Sequence, residues 1–130
     1  MLKAKDIMTK NVISLEKKTP ISQALKLILD NNISSIPVVE KDNTLVGILS
    51  ERDVLKLFGK EENSKSKKVD DYMTQPAVHF DENESLPDIC DCLMNNYFKA
   101  VPVTSKGKLT GIVSRRDILK YIIEQNETAE

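Results

Sequence analysis

Two short stretches of the chain bring together residue types that could do chemistry, at the same spacing in each. They are Gly47-x-x-Ser50-x-Arg52-Asp53 and Gly111-x-x-Ser114-x-Arg116-Asp117, each at the end of an apolar run that opens into a helix-forming stretch. Backbone N–H groups at a helix N-terminus are unpaired and favour anions. An arginine placed there can donate two parallel hydrogen bonds to phosphate oxygens. The aspartate, one turn in, can accept from neighbouring ribose hydroxyls, so the set suits a nucleotide. Ser-x-x-Asp is also a capping-box pattern, in which serine and aspartate only satisfy the helix's own free N–H groups. One copy alone would carry no more than that. The glycine, the arginine and the recurrence of all four residues favour binding, and both readings stay open at this point.

The other reactive side chains do not form such sets. His79 is the single histidine, with no second base or nucleophile identifiable beside it, and reads as structural. Cys90 and Cys92 are the only cysteines. Their i, i+2 spacing on a helix points them to different faces, which argues against a disulfide or a closed zinc site and for small buried residues. Asp81, Glu82 and Glu84 precede a helix, where they favour its dipole. No metal site is expected. Lys65, Lys67 and Lys68 lie among Gly59, Asn63, Ser64 and Ser66 and read as a solvated linker rather than a phosphate patch.

The elements that must position the two turns follow from an internal repeat. The second half repeats the first at an offset of 65, falling to 64 after a one-residue deletion in a turn. Asp6-Ile7-Met8-Thr9 matches Asp71-Tyr72-Met73-Thr74, Ile36-Pro37-Val38 matches Val101-Pro102-Val103, and the Gly-to-Asp turns match each other. Each copy predicts a short strand, around Val12-Ile13 and around Ala77-Val78. A helix follows. In the first copy it is capped by Thr19 with Pro20 at the first position, and its face is Ala24, Leu25, Leu27, Ile28 and Leu29. In the second it starts at Ser85 and Pro87, and its face is Ile89, Cys90, Leu93 and Met94. Two strands come next, Ile36 to Val39 and Leu45 to Leu49, joined by the turn Glu40-Lys41-Asp42-Asn43; the second copy turns around Thr104 to Lys108. Closing helices run from about Glu51 to Phe58 and from about Arg115 to Glu124.

The expected fold is therefore α+β/α/β: two β-α-β-β-α repeats at 1–62 and 69–130, joined by a linker at 63–68. Units of this size cannot easily cover both faces of a small sheet, so the repeats are expected to pack together with pseudo-two-fold symmetry, placing a ligand cleft between them. At 130 residues, further independent domains have no room. Hydrophobic residues at 40% and charged residues at 30% are ordinary for a globular chain and exclude a disordered one. A net charge of −1, with both signs interleaved, argues against a nucleic-acid partner. No apolar run is long enough for a membrane span, and the N-terminus lacks a signal-peptide core. A cytoplasmic location is expected.

Along almost its whole length the sequence resembles a CBS domain pair, or Bateman module. The resemblance rests on the Met-Thr opening, the hydrophobic-Pro-Val strand and the Gly-h-h-Ser/Thr-x-x-Asp turn, with h apolar, and both copies have all three. It implies an adenosine-containing ligand in the cleft: AMP, ADP or ATP, or in other members S-adenosylmethionine, NAD or a cyclic dinucleotide. Carried over by position, Asp53 and Asp117 would hold ribose hydroxyls, Ser50 and Ser114 would sit near ribose or phosphate, and Arg52 or Arg116 would reach phosphate. Thr9 and Thr74, with backbone near Val12 and Val78, would border the sugar or base, and Ile36-Pro37 and Val101-Pro102 would form apolar walls. Members that bind phosphates tightly often carry basic residues just before the hydrophobic-Pro-Val strand. This chain has Ser34-Ser35 in one copy and Lys99-Ala100 in the other, so the sites should differ, with Lys99 a phosphate contact. The implied function is a regulatory sensor, not an enzyme, that forms a homodimer and signals to a regulated partner protein. The alternative is a ligand-independent dimerisation scaffold whose turns are only caps.

Overall fold

The computed structural model describes residues 1–58, 67–96 and 98–129. The expected linker lies partly outside them, at 63–66 with Lys65, and Gly59 lies outside too. The described chain forms two compact units, and these do not coincide with the sequence repeats. One is contiguous, Ile13–Ala77. The other is divided, Met1–Val12 with Val78–Glu130.

In the contiguous unit, helix α2 (Ile21–Asn31) buries Ile21, Ala24 and Ile28, an i, i+3, i+7 stripe that makes one face of a helix. Leu25 and Leu27 are half-buried and Leu29 is exposed, so the apolar face is narrower than the sequence suggests. The helix ends at Asn32 in the left-handed conformation, whose N–H returns to the carbonyls of Ile28 and Leu29. Its start corrects one expectation. Pro20, not Thr19, is the N-cap, and no side chain caps the helix. The Ile21 N–H instead donates to the Lys67 carbonyl at 3.1 Å, and the Thr19 carbonyl accepts from the Val69 N–H at 2.9 Å. A neighbouring segment supplies what a capping hydroxyl would have supplied.

Strands β1 (Ser35–Val39) and β2 (Leu45–Ser50) pair antiparallel, with Ser35 opposite Ser50 and Ile36 opposite Leu49, and a bulge between Val38 and Val39. The strand expected around Val12-Ile13 shrinks to a single parallel bridge, Leu15 to Val38. Helix α3 (Glu51–Val54) makes one turn and continues as a 3-10 helix over Leu55–Phe58. A second 3-10 turn, Val69–Asp71, lays Val69, Tyr72 and Met73 onto the core built from Leu15, Ile21, Ile36, Val38 and Leu49.

The divided unit repeats this plan with a fuller sheet. Helix α1 (Ala4–Ile7) occupies the place of the Val69–Asp71 turn. Strand β3 (Phe80–Asp81) is displaced from the expected Ala77-Val78 and pairs parallel with β4 (Ala100–Ser105); β4 pairs antiparallel with β5 (Lys108–Ser114). Lys106 and Gly107, both with positive φ, form the two-residue hairpin loop between β4 and β5. Helix α4 (Leu86–Asn95) buries Leu86, Ile89 and Leu93. Met94, expected on that face, is exposed, and Cys90 is half-buried. Helix α5 (Arg115–Ala129) is longer than expected.

Residue for residue, the bonds that attach the first dozen residues to the divided unit are those that attach 67–74 to the contiguous one. Leu86 N–H donates to Leu2 O as Ile21 N–H donates to Lys67 O, and Ala4 N–H donates to Glu84 O as Val69 N–H donates to Thr19 O. The opening segment of each sequence repeat completes the fold of the other. No helix among the described residues is long and apolar enough to cross a membrane.

Candidate functional site

The Gly-to-Asp turns sit where β2 meets α3 and where β5 meets α5. Ser50 is the N-cap of α3, and its hydroxyl accepts from the Asp53 N–H at 3.3 Å. The Asp53 carboxylate reaches back to the Ser50 N–H at 2.9 Å and accepts from the Ser50 hydroxyl at 3.0 Å. At the other turn the Asp117 N–H donates to Ser114 Oγ at 3.2 Å, and Asp117 Oδ2 accepts from the Ser114 N–H at 2.8 Å and from its hydroxyl at 3.0 Å. The capping reading is therefore correct as far as it goes, and it leaves the second carboxylate oxygen of each aspartate unexplained.

That oxygen is taken by a threonine. Thr74 Oγ1 donates to Asp53 Oδ1 and Thr9 Oγ1 donates to Asp117 Oδ1, both at 3.0 Å. Each threonine is locked in place by a two-way backbone pair, Thr74 with Ile48 and Thr9 with Ile112, at 2.9–3.0 Å. The partnership crosses the repeats: the Met-Thr of one repeat serves the Ser-x-Arg-Asp of the other.

This crossing explains the glycine of the motif. A Cβ on Gly47 would stand 2.6 Å from the Thr74 carbonyl oxygen, and one on Gly111 would stand 2.5 Å from Met8 Sδ and 3.0 Å from the Thr9 oxygen. The Met-Thr segment lies directly on the strand, and only a residue without a side chain admits it.

The two turns differ in detail. Asp53 is buried at 5% exposure, and a lysine one turn on, Lys56, places its ammonium 3.4 Å from Asp53 Oδ1 and 3.5 Å from the Tyr72 carbonyl. Asp117 is half-buried. The residue preceding the first strand of each hairpin offers its carbonyl to the first helical N–H: Ser34, before β1, to Glu51 and Lys99, before β4, to Arg115, both at 3.0 Å. Lys99, Arg52 and Arg116 all have exposed side chains, while Arg115 Nη2 donates to the Leu93 carbonyl at 3.3 Å.

Of the residues expected to line a ligand site, Thr74, Ser50 and Asp53 come together in one unit and Thr9, Ser114 and Asp117 in the other. Ile36, Pro37, Val101 and Pro102 are on the strands beside the serines but are fully buried in the cores. Val12 is half-buried, and Val78 and His79 are exposed. Lys56 was missed; its signal was the i, i+3 spacing from Asp53 on the same helix face. A groove of about 620 Å³ in the contiguous unit, bordered by Ser14, Glu16, Lys18, Gln23 and Lys41, does not include the Thr74–Asp53 pair. Among the described residues no three His, Cys, Asp or Glu side chains gather as metal ligands would.

The CBS domain profile matches residues 4–60 and 69–124. The chain is 30% identical over 118 residues to protein MJ1225 of Methanocaldococcus jannaschii, covering 91% of this chain and 42% of that relative, so it spans well under half of that protein's length. In three dimensions it is similar to CBSX2 of Arabidopsis thaliana in complex with AMP, with TM-score 0.85 and 27% identity over 97% of this chain and 99% of that one. It is also similar to the CBS domain pair of protein MJ0100 in complex with 5′-methylthioadenosine and S-adenosyl-L-methionine, with TM-score 0.82 and 25% identity over 96% and 98%. With matched motifs in both halves and the fold of solved CBS pairs, this chain belongs to the CBS domain family.

Proposed function

We propose that this chain is a regulatory module that binds an adenosine-containing ligand, AMP, ADP or ATP, at its Ser-x-Arg-Asp turns and reports occupancy to a partner protein. The observation that carries the reading is the pairing of a threonine hydroxyl, a serine hydroxyl and an aspartate carboxylate around one strand end in each unit. A ribose diol can replace or share those hydroxyls, because a carboxylate accepts up to about four hydrogen bonds. The exposed Arg52 and Arg116 would meet phosphate. Binding of AMP by CBSX2, and of S-adenosyl-L-methionine by MJ0100, supports an adenosine ligand.

In this reading the module binds rather than catalyses: its polar groups are arranged to hold hydroxyls and an anion, and among the described residues no base is set against a nucleophile. Homodimerisation is part of the proposal, supported by exposed Leu119, Ile122 and Ile123 on α5, Met94 on α4 and Leu29 on α2. The half-buried free thiols of Cys90 and Cys92 suit a cytoplasmic home.

Calorimetric titration of ligand-stripped protein with AMP, ADP, ATP, S-adenosylmethionine and NADH tests the reading. Saturable binding of any of them upholds it. Silence across the panel would favour the scaffold reading, which one observation supports: the Asp53 carboxylate is already surrounded by the chain's own donors.

A further inference from the structure

We infer that the two turns are unequal, and that a phosphorylated adenosine ligand is taken at Asp117 in the divided unit while Lys56 keeps the Asp53 turn closed. This rests on the proposed nucleotide binding and goes on to say which carboxylate performs it.

A carboxylate offers about four acceptor positions. Asp53 has filled four: the Ser50 N–H, the Ser50 hydroxyl, the Thr74 hydroxyl and the Lys56 ammonium. A ribose hydroxyl arriving there must displace a donor and enter a space from which Asp53 is already withdrawn, at 5% exposure. Asp117 has filled three, with the Ser114 N–H, the Ser114 hydroxyl and the Thr9 hydroxyl. Its lysine counterpart, Lys120, is exposed and makes no hydrogen bond or ion pair with it, and the carboxylate itself is half-buried. One acceptor position therefore remains, within reach of solvent.

Charge points the same way. Arg115, Arg116 and Lys120 flank Asp117 in sequence, and Lys99 is joined to Arg115 through its backbone carbonyl, so this segment carries four cations against one anion. The matching segment carries Arg52 and Lys56 against Glu51 and Asp53, with Ser34 in the place of Lys99. Arg115 is held against the Leu93 carbonyl, yet its charge still adds to the field. A phosphate is attracted to the first surrounding and meets a neutral one at the second. The ion pair of Lys56 is weak by itself, since its side chain is 59% exposed. Its effect is to occupy the last acceptor of a carboxylate that burial has already made hard to reach.

The test uses the whole 130-residue chain, stripped of ligand, with AMP as probe. Backbone amide spectra of the unmodified protein should show the signals of Thr9, Ser114 and Asp117 moving with AMP while those of Ser50, Asp53 and Thr74 stay still, and calorimetry should give one equivalent. Asp117→Asn should weaken binding roughly ten- to hundredfold. Lys56→Met should admit a second, weaker equivalent. Two equivalents in the unmodified chain, or movement confined to the Asp53 turn, would overturn the assignment. A single equivalent in Lys56→Met would remove Lys56 as the closing residue. Because the amide spectra need no substitution, they decide the matter even where Asp117→Asn fails to fold. Absence of binding by AMP, ATP and S-adenosylmethionine alike would overturn the nucleotide reading itself, and this inference with it.

Discussion

The hydroxyl of Thr74 lies 3.0 Å from Asp53 Oδ1, although the two residues belong to different sequence repeats. The Thr9–Asp117 pair mirrors it at the same distance. Both the stability of each unit and the chemistry open to it pass through this contact.

Removing the hydroxyl should cost more where the carboxylate is better buried. Thr74→Val should destabilise the protein by about 1–2 kcal/mol, and Thr9→Val by about 1 kcal/mol or less, since hydrogen bonds to charged groups matter most when the partner left behind is shielded from water. Urea unfolding of the two variants measures the order; a larger loss in Thr9→Val would contradict the burial difference.

The two motif glycines should respond unequally to alanine. At Gly47 the new methyl meets the backbone oxygen of Thr74, which cannot move without breaking the pair to Ile48. At Gly111 the closest atoms belong to the flexible Met8 side chain. Overpacking of this kind costs about 1–3 kcal/mol, so Gly47→Ala should fall near the upper end and Gly111→Ala near the lower. Thermal melts of both would show it, and equal losses would argue that Thr9, not Met8, limits the space at Gly111.

Burial pushes the thiols of both Cys90 and Cys92 up from their usual range. Asp91 adds to the effect at Cys90, and the hydrogen bond from Asn96 opposes it at Cys92. The fold thus favours the neutral thiol. The stability this contributes is present below the unfolded-chain thiol value, about 8.5, and is lost as pH rises through the higher folded values. Alkylation by iodoacetamide between about pH 8 and 9 should be slower in the native protein than in the urea-unfolded chain. Equal rates would mean that neither thiol is shielded.

Dividing the chain at the sequence repeat and dividing it at the compact unit should give opposite results. A fragment spanning 13–77 retains Val69, Tyr72, Met73 and Thr74, with their partners Ile21, Ile48 and Asp53, and should show cooperative unfolding. A fragment spanning 1–62 loses that group and carries an opening segment with nothing to complete, and should show none. Circular dichroism melts of the two fragments compare them directly.

Much of this was legible from residue types. The strand–strand–helix order of each repeat follows from the apolar runs and the turn residues between them, and the capping geometry of Ser50 and Asp53 follows from their spacing. The exchange of opening segments was not legible. Met8-Thr9 and Met73-Thr74 are chemically the same and suit either turn equally well, so a pattern repeating every 65 residues can be cut at any phase. Which copy seats on which strand is settled by tertiary packing. The same packing explains why Thr19 caps nothing, since the Lys67 carbonyl already holds the N–H it would have served. The exposure of Leu29 and Met94 was hidden for another reason: periodicity gives the direction of a helix face but not its width.

The exchange also fixes where the chain is moored. Thr9 stands three residues before Val12 and Thr74 three before Ala77, and these are the points at which the chain leaves one unit for the other. Three residues of extended chain span at most about 10 Å. Each carboxylate is thus held by a side chain within three residues of a unit's boundary, so the bond that positions the carboxylate also ties down the last residues of its own unit.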